Sequence, residues 1–524
     1  HVEDYQKRDV KGKVVLIRST ERANGWGHSA TLAMDHGAAG IITDYLLYQT
    51  APFRTRESLP DPVMLLRMPP RRDCWAIVVN YHAAEQLASL AVQGGAKVFA
   101  DIQAKTFKGE GQNLFADITG TDKADEYIQF VCHATAGTKP GANCASGPAL
   151  SVEMARTISD LISTGRIPRP RRTIRFLINI EGQGTKHYAS NHPDEFKSTI
   201  TTIALDSVGH DQRKSKSALL FYRSPDSLPT FVNDFYESLM EITPKETRWV
   251  FHNSPSIPFV NFVDHPYCPW SDNSSIPFYG VPSPLLMSWP DLYFHTDHLT
   301  ADNLDPDVFK RCGVTTALAA LELANAGPDE VPDIMRVVGT RSQARLSQIA
   351  LNSVDSDEKP RIRKRLAHLA KRDQEAIESA LRLLDSKEIK QHPEIEATMN
   401  EIKTEIQDSL EKTVGWIQGG GPEPDEFPGG DVVPKRAVDR RVPLSGVDYL
   451  DLITMAEEME ARDPKVRFDS LRIIGDELWM FVDGKRTVNQ ITDAIGAEFD
   501  FDLDPRQILK IVQGMAEEGL ITLG

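Results

Sequence analysis

Four short stretches of this sequence place histidine and carboxylate side chains where they can bind a metal ion or move a proton. They are VCHATAGTKPGANCASG (131–147), FLINIEGQG (176–184), IALDSVG (203–209) and YFHTDHLTADNLDP (293–306). His133, Glu181 and Asp206 each follow an apolar run of strand length. Hydrolytic zinc sites use imidazole and carboxylate ligands, an open position for water and a nearby general base. These residue types therefore indicate metal-assisted hydrolysis.

The elements that must position these side chains follow the pattern of a sheet covered by helices. Helical stretches such as 148–163 alternate with apolar strands, which are predicted at 127–132, 173–180 and 201–205. This alternation predicts an α/β domain with a mostly parallel or mixed sheet. Ligands in such sheets bind at the carboxyl ends of strands. We therefore expect His133, Glu181 and Asp206 to lie along one edge of the sheet.

Taken in order, these stretches resemble the M28 family of zinc aminopeptidases. The family has a strand ending in a ligand His, a GANDNASG-like loop, a strand ending in Glu-Glu, an LDMVG-like strand end and a YHTxxDTxDxVDP segment. SDNSSIPFYGVPSP (271–284) is similar to the family's SDHxPFxxxGIP stretch. The resemblance implies an M28-type mixed-sheet domain over 101–327. It also implies a zinc-dependent hydrolase that removes N-terminal residues from peptides or cleaves a similar small amide.

The resemblance implies a role for each residue that matches a family motif. His133 falls on the first ligand histidine, Asp206 on the carboxylate of the first metal and His295 on the last ligand histidine. Glu181 falls on the general base that takes a proton from the metal-bound water. In the family two further loops border the substrate pocket, and here they carry Asp272, Tyr279 and Tyr293.

Several positions of the family's two-metal site are changed in this chain. The loop GANCASG is one residue short, so Asn143 or Cys144 takes the place of the aspartate that bridges two metals. Gly182 replaces the second glutamate, a ligand of the second metal, and Thr135 stands where the family often has an aspartate. A neutral amide cannot neutralise two close dications, whereas a thiolate is a good zinc ligand. We expect one zinc ion or none rather than two, with ligands drawn from His133, Asp206, His295, Cys144 and Asn143.

Three hypotheses about function follow from this pattern. The first is the M28-type hydrolase. The second is a catalytically degenerate protein of the same fold that binds a peptide or partner without cleaving it, and the changed ligand positions favour it. The third is a single-zinc acyl-transfer enzyme similar to glutaminyl cyclases. Gly182 argues against this third hypothesis, because it replaces a ligand of the second metal, and that metal is the one those enzymes retain. Glu181 also has a purely structural alternative as a helix-capping carboxylate.

Residues 1–100 resemble a protease-associated domain, a kind of domain that forms a lid beside peptidase sites. The resemblance rests on DVKGKVVLI, HGAAGIIT and AIVVNYHAAEQL, which predict strands at 14–17, 38–42 and 76–79 and a helix from about residue 29. Because the chain begins at His1 rather than Met, we expect this domain to be truncated at its N-terminus.

The rest of the chain divides into three further segments. Apolar residues recur every three or four positions over 366–384 and 395–414, which predicts a helical hairpin within 328–420, a surface that could join two copies of the chain. The Gly/Pro/acidic stretch 421–439 is predicted to be a linker. Residues 440–524 resemble a winged helix, with a hairpin at LWMFVDGKRT, helices near 488–499 and 505–518, and a closing LITL strand.

Composition limits the partners of the chain. It has 59 Lys and Arg against 75 Asp and Glu, a net charge of −16, and residues 441–524 alone have 9 against 17. Binding to a phosphate backbone relies on an excess of Lys and Arg, so we expect no nucleic-acid partner. No apolar run reaches the roughly 18 residues of a membrane span. The 5 scattered cysteines predict neither a disulfide framework nor a zinc module and favour a cytoplasmic location.

Overall fold

A computed structural model gives the architecture of the chain. It describes residues 4–6, 8–18, 26–46, 54–55, 58–66, 68, 74–103, 105, 107–135, 142–246, 260–353, 359–417, 419, 427–438, 470–500 and 503–524, and for 142–143, 242–246 and 470–473 the backbone alone. These residues form an amino-terminal α/β unit, a central sheet domain extended by long helices, and a carboxyl-terminal helical unit.

The amino-terminal unit is a small parallel sheet with two helices. Its strands are β1 (Val14–Ile17), β2 (Gly40–Thr43) and β3 (Trp75–Val78), in the order β1-β2-β3. The helices are α1 (Trp26–Asp35) and α2 (Tyr81–Gln93). Asn80 caps α2 because its Oδ1 accepts a hydrogen bond from Ala83 N at 2.9 Å. The three predicted strands and the helix between the first two are present, while the likeness to a protease-associated domain stays a prediction.

The central domain is built on a mixed seven-stranded sheet, as the alternation of strands and helices predicted. The strand order is β4-β6-β5-β7-β10-β8-β9. The strands are β4 (Leu114–Ile118), β5 (Lys123–His133), β6 (Arg172–Asn179), β7 (Thr199–Asp206), β8 (Ala218–Tyr222), β9 (Phe262–His265) and β10 (Leu285–Trp289). Because β6, β5, β7 and β10 are mutually parallel, their carboxyl ends meet at one edge.

Helices cover this sheet on both faces. They are α3 (Ala142–Ser163), α4 (Gln183–Asn191), α5 (Pro193–Lys197), α6 (Gln212–Ser215), α7 (Phe231–Glu246) and α8 (Pro306–Asn325). Helix α3 crosses β7 at very short range: a Cβ atom on Gly147 would lie 2.2 Å from the carbonyl oxygen of Leu205. Glycine at this position therefore lets the first turn of α3 approach the carboxyl ends of the strands.

Residues 331–416 contain three long helices in the described part of the chain, so the predicted hairpin of two was wrong. The elements are α9 (Val331–Asn352), α10 (Lys359–Ser379), the short α11 (Ser386–Gln391) and α12 (Pro393–Trp416). The prediction missed α9, whose buried stripe mixes apolar residues with Gly339 and Ser342. Gly339 is needed because a Cβ atom there would lie 2.3 Å from Ile402 Cγ2 of α12. All three helices share one hydrophobic core with the sheet.

Arg345 joins helices α7, α9 and α10 through a buried ionic cluster. Its Nη1 and Nη2 lie 3.1 and 3.0 Å from the two carboxyl oxygens of Asp234, and Nη2 lies 3.0 Å from Asp373 Oδ2. The side chains of Asp234 and Asp373 are each 1% exposed. Burial alone would raise the pKa of Asp234, but Arg345 and Arg223 hold it below its usual value. The helices are thus joined by a network of buried charges, in which Asp234 also pairs with Arg223 and Arg341 and Asp373 also pairs with Arg372.

We expect Asp234→Ala to lower the free energy of unfolding by about 3–5 kcal/mol, because it removes a buried carboxylate that pairs with Arg345, Arg223 and Arg341 at once. Denaturant unfolding followed by circular dichroism measures this change. Asp333→Ala is the matched control, since Asp333 is 81% exposed and pairs only with Arg336 on the same helix. Equal effects of the two substitutions would contradict a structural role for the cluster.

The carboxyl-terminal unit has three helices and a small sheet in its described residues. They are α13 (Ser470–Phe481), α14 (Val488–Phe499), α15 (Pro505–Glu517), β11 (Pro434–Arg436) and β12 (Ile521–Leu523), with the two strands antiparallel. The predicted hairpin at LWMFVDGKRT was wrong, because Leu478 and Phe481 belong to α13. Ile474, Leu478 and Phe481 follow helical spacing, but Trp479 and Val482 are also fully buried. A run buried on all sides hides the helical period.

The predicted linker 421–439 is partly folded. Within it, 434–436 form β11, while 420–426 and 439 lie outside the described residues. The preceding stretch is bound to the start of α14, since Val488 N donates to Val432 O and Asn489 N donates to Gly430 O, both at 2.9 Å. Glycine-rich sequence is typical of linkers and also of chain that passes close to a helix end. In this chain it serves the second purpose.

Candidate active site

His133 occupies the carboxyl end of β5, between two carboxylates. Its side chain is 3% exposed. Nδ1 lies 2.8 Å from Asp272 Oδ2, and Nε2 lies 3.9 Å from Asp206 Oδ1. An ionised carboxylate can only accept a hydrogen bond, so Nδ1–H donates to Asp272. The remaining ring nitrogen is thereby directed towards Asp206 at the end of β7.

Asp272 fixes more than the histidine ring. Its Oδ1 accepts hydrogen bonds from Gly182 N at 3.0 Å and from Thr185 Oγ1 at 2.9 Å. The residue is 1% exposed. Both of its oxygens are therefore engaged within the protein, and the predicted place of Asp272 at the border of the substrate pocket stays a prediction. It connects His133 to the loop that follows β6.

Glu181 lies in that loop and is half-buried. Its backbone N–H donates to Thr135 Oγ1 at 3.3 Å, so the loops after β5 and β6 are joined beside His133. Thr135 stands where the M28 family often has an aspartate. In this chain Asp272 supplies the carboxylate next to the histidine, and Thr135 instead supports the backbone of the candidate base.

Cys144 is a third possible metal ligand and lies beside His133. It lies in the first turn of α3, is 7% exposed and is hydrogen-bonded through its side chain to His133. Burial opposes a charge on the ring, but Asp206, Asp272 and Cys144 together raise the pKa of His133 to about 12. A cation that binds here would therefore displace a proton from the ring. The side chain of Asn143, the other candidate at the loop, lies outside the described residues.

The side-chain types at this cluster fit zinc, but the distance between two of the candidate ligands is too long for a bound ion. Tetrahedral zinc holds a nitrogen and an oxygen ligand roughly 3.4 Å apart, given Zn–N and Zn–O lengths of about 2.0–2.2 Å. His133 Nε2 and Asp206 Oδ1 are 3.9 Å apart and would have to approach each other. Within the described residues, no three His, Cys, Asp or Glu side chains are arranged to hold one metal ion. The cluster by itself is thus a partial metal site.

The backbone at Gly182 disfavours a second metal. Its φ is 62° and its ψ is −46°, a conformation that side-chain-bearing residues rarely adopt. A Cβ atom would meet nothing within 4 Å, so space is not the obstacle. A glutamate at this position would require a different path of the loop. The missing carboxylate and the loop conformation are two aspects of one departure from the M28 pattern.

His295, the last predicted ligand, lies in a loop that contacts the amino-terminal unit. Its φ is +58°, and its ring stacks on Phe294 with centroids 3.8 Å apart. Its carbonyl oxygen accepts a hydrogen bond from Leu65 N at 2.8 Å. Val63 N donates to Asp297 Oδ1 at 3.0 Å. The amino-terminal unit therefore contacts the loop that carries His295.

The two tyrosines predicted to bind substrate lie apart from the His133 cluster in their described contacts. Tyr279 is half-buried against Phe196, with ring centroids 5.5 Å apart. Tyr293 packs on the core of the amino-terminal unit, and its N–H donates to Asp291 Oδ1 at 2.6 Å. A substrate role for either tyrosine stays a prediction.

A second buried histidine–aspartate pair escaped the sequence analysis. His210 Nδ1 lies 2.7 Å from Asp291 Oδ2, and both side chains are fully buried. His210 Nε2 has no hydrogen-bond partner among the described residues. A signal was present, because His210 directly follows the IALDSVG motif and Asp291 lies two residues before the segment that carries His295. The pair anchors that segment to the end of β7.

Several solved structures are similar to part of this chain. It is similar to a peptidase M28 precursor from Shewanella amazonensis SB2B, at 19% identity and TM-score 0.42 over 62% of this chain and 72% of that one. It is also similar to an aminopeptidase from Aneurinibacillus sp. strain AM-1, at 17% identity and TM-score 0.35 over 62% and 72%. A glutaminyl cyclase from an Acidobacteriales bacterium is similar at 17% identity and TM-score 0.31 over 41% and 74%. No family model and no curated protein matches the sequence.

Proposed function

We propose that this chain is a hydrolase of the M28 peptidase type, which removes the N-terminal residue of a peptide or cleaves a similar small amide. One observation carries the proposal. His133 is held between Asp206 and Asp272 at the shared carboxyl edge of the sheet, beside the loop that carries Glu181. The resemblance of the sequence motifs supports the proposal, because it implies a ligand histidine at His133, a ligand carboxylate at Asp206 and a general base at Glu181. Ligands bind at such an edge in open α/β sheets.

Glu181 is the residue to which we assign proton transfer. Its carboxylate takes a proton from the attacking water and returns it to the leaving amine. Asp272 positions the reacting groups, because it holds the ring of His133 and the N–H of Gly182, the residue next to Glu181.

We further propose one zinc ion bound by His133 and Asp206, with Cys144 as the third protein ligand. A zinc ion supplies polarisation of the scissile carbonyl and a lower pKa for the water bound to it. The histidine, carboxylate and thiol side chains match the ligands that zinc prefers. Closing the 3.9 Å separation between His133 and Asp206 is the adjustment that binding requires.

Hydrolysis by the purified full chain tests the proposal. The substrates are a panel of aminoacyl-p-nitroanilides, with N-acetylated versions as controls, and a peptide that begins with glutamine. We expect release of nitroaniline from the free-amino substrates alone and about one zinc per chain. Cyclisation of the glutamine peptide with ammonia release would instead indicate an acyl-transfer enzyme. Absence of turnover together with less than about 0.2 zinc per chain after metal-replete purification would indicate a degenerate, peptide-binding protein.

Asp272→Asn is expected to weaken zinc binding about 10- to 100-fold, since the carboxylate that orients and charges the ligand histidine becomes a neutral amide. Competition with a chelating dye measures the zinc affinity. Asp307→Asn, at an exposed aspartate, is the matched control. Unchanged affinity in Asp272→Asn would mean that zinc does not bind through His133.

No helix among the described residues is both long enough and apolar enough to cross a membrane.

A further inference from the structure

Two glutamates lie side by side where the carboxyl-terminal unit meets the sheet domain. Glu477 belongs to α13 and is fully buried, and Glu498 belongs to α14 and is half-buried. The Oε2 atoms of both residues are shielded from solvent and have no hydrogen-bond partner among the described residues. Two carboxyl groups can bond to each other only when a proton lies between them.

The other oxygen of each glutamate bonds to the sheet domain. Glu477 Oε1 accepts from Ser227 N at 3.2 Å, and Glu498 Oε1 accepts from Asp226 N at 3.4 Å. Asp226 and Ser227 lie in the loop after β8. The carboxyl pair therefore spans the contact between the two parts of the molecule, and separating them would expose all four oxygens to water.

The charges around the pair do not neutralise it. Asp226 faces both glutamates, but Arg372 of α10 binds Asp226 through Nη1 at 3.0 and 2.8 Å. Arg372 also contacts Asp373, so its charge is shared between two aspartates. On the pair's own helix the neighbour is Asp476, another buried carboxylate. The surroundings supply negative charge and backbone amides to a buried pair of acids.

Further titratable groups of the described residues lie at this contact. They include His368 and Glu375 of α10, Arg486 before α14, and Asp493 of α14, which faces Lys364 and Arg361. Burial lowers the pKa of His368 to about 4, so the ring is neutral above pH 5. Arg365 and Asp500 form an ion pair at the rim. Substitution of Glu477 and Glu498 therefore shows whether a change in docking between pH 5.5 and 8.5 comes from these two residues or from the neighbouring groups.

We propose that the carboxyl-terminal unit docks on the sheet domain by sharing a proton between Glu477 and Glu498, so that docking loosens as the pH rises. Burial, the partner glutamate and Asp226 raise the pKa of Glu498 well above its ordinary value of 4.5, and burial also raises that of Glu477. The docked state thus keeps a proton that the separated unit releases. For one such proton, the docking constant falls about tenfold per pH unit above 4.5, until the docked pair itself ionises.

Hydrogen–deuterium exchange of the full chain tests this proposal. Protection of the peptides that cover α13, α14 and α15 is measured between pH 5.5 and 8.5, corrected for the intrinsic exchange rate and referred to β5 and β6. We expect the protection of the carboxyl-terminal unit to fall by up to about tenfold per pH unit while β5 and β6 stay protected. A wild-type profile without this selective loss overturns the proposal, whether or not any variant folds.

The double variant Glu477→Gln, Glu498→Gln identifies the groups responsible. Two amides can donate and accept without a titrating proton, so its protection is expected to be independent of pH and higher than wild type at pH 8.5. The matched control is Glu517→Gln, Glu518→Gln, which removes two exposed carboxylates from the same unit and should keep the wild-type profile. A double glutamine variant that retains the wild-type pH dependence would assign it to other groups and refute the shared proton.

Discussion

Glu181→Gln is expected to lower kcat for aminoacyl amide hydrolysis about 10²- to 10⁴-fold, the range that a general base contributes. The amide has nearly the shape of the carboxylate but cannot take a proton from water. The backbone N–H of residue 181, which donates to Thr135, is unchanged by the substitution, so the loop should keep its path. Zinc content and the free energy of unfolding are therefore expected to match those of the wild type.

Steady-state kinetics with a saturating aminoacyl-p-nitroanilide measures this effect. Glu153→Gln is the matched control, since Glu153 is an exposed glutamate that contacts only Arg156 and Thr157 on its own helix. It should leave kcat unaltered. If Glu181→Gln keeps full activity, the proton acceptor is another residue, and the assignment of Glu181 from the sequence motif is wrong.

His133→Ala is expected to abolish zinc binding and hydrolysis together. It removes the ring that is held between Asp206 and Asp272, and leaves those two carboxylates facing a cavity without positive charge. Substitution of a residue that is hydrogen-bonded to a metal ligand weakens zinc binding roughly 10- to 100-fold. Loss of the ligand His133 itself should weaken zinc binding by more than that. Zinc per chain after dialysis against a weak chelator is the measurement.

Two further histidine variants make this result specific. His298→Ala changes an exposed histidine in the same loop as His295 and should retain both zinc and activity. His295→Ala should affect substrate turnover more than zinc content, because Gly182 lacks the carboxylate that would hold a metal on that side. Retention of zinc by His133→Ala would place the metal elsewhere and contradict the proposed ligand set.

The placement of the cluster followed from sequence because it depends on local pattern. Apolar runs that end in His133 and Asp206 predict strands, and parallel strands bring their carboxyl ends to one edge whatever the details of packing. The general α/β class and the mixed sheet could be predicted for the same reason. No distance between side chains was needed for either conclusion.

The partners of the cluster could not be predicted, because they come from distant parts of the chain. Asp272 meets His133 across 139 residues, and Asp291 meets His210 across 81. Which carboxylate faces which ring depends on how each loop turns after its strand, and the left-handed backbone of Gly182 is one such turn. The resemblance to the family's pocket-bordering loops suggested a substrate contact for Asp272, but could not reveal its hydrogen bonds to His133, Gly182 and Thr185.

The errors outside the site have a different cause. In helix α13 all described side chains, residues 474–481, are buried, Asp476 and Glu477 included, so its polar residues do not mark a solvent-facing side. Helix α9 packs through Gly339, a residue that sequence patterns associate with breaks in helices rather than with close helix contacts. In both cases tertiary packing, which the sequence pattern does not express, decided the local structure.

The contact between residues 63–65 and 295–297 also sets an order of events during synthesis. Val63 and Asp297 are 234 residues apart in the chain. At about 5–20 residues per second, translation separates their appearance by roughly 10 to 50 s. Throughout that interval residues 63–65 of the amino-terminal unit cannot yet bond to the His295 loop, because that loop has not been synthesised. This contact between the amino-terminal unit and the His295 loop is thus completed late, after most of the central sheet has been synthesised, and a nascent chain that stops before residue 297 cannot form the hydrogen bond to Asp297.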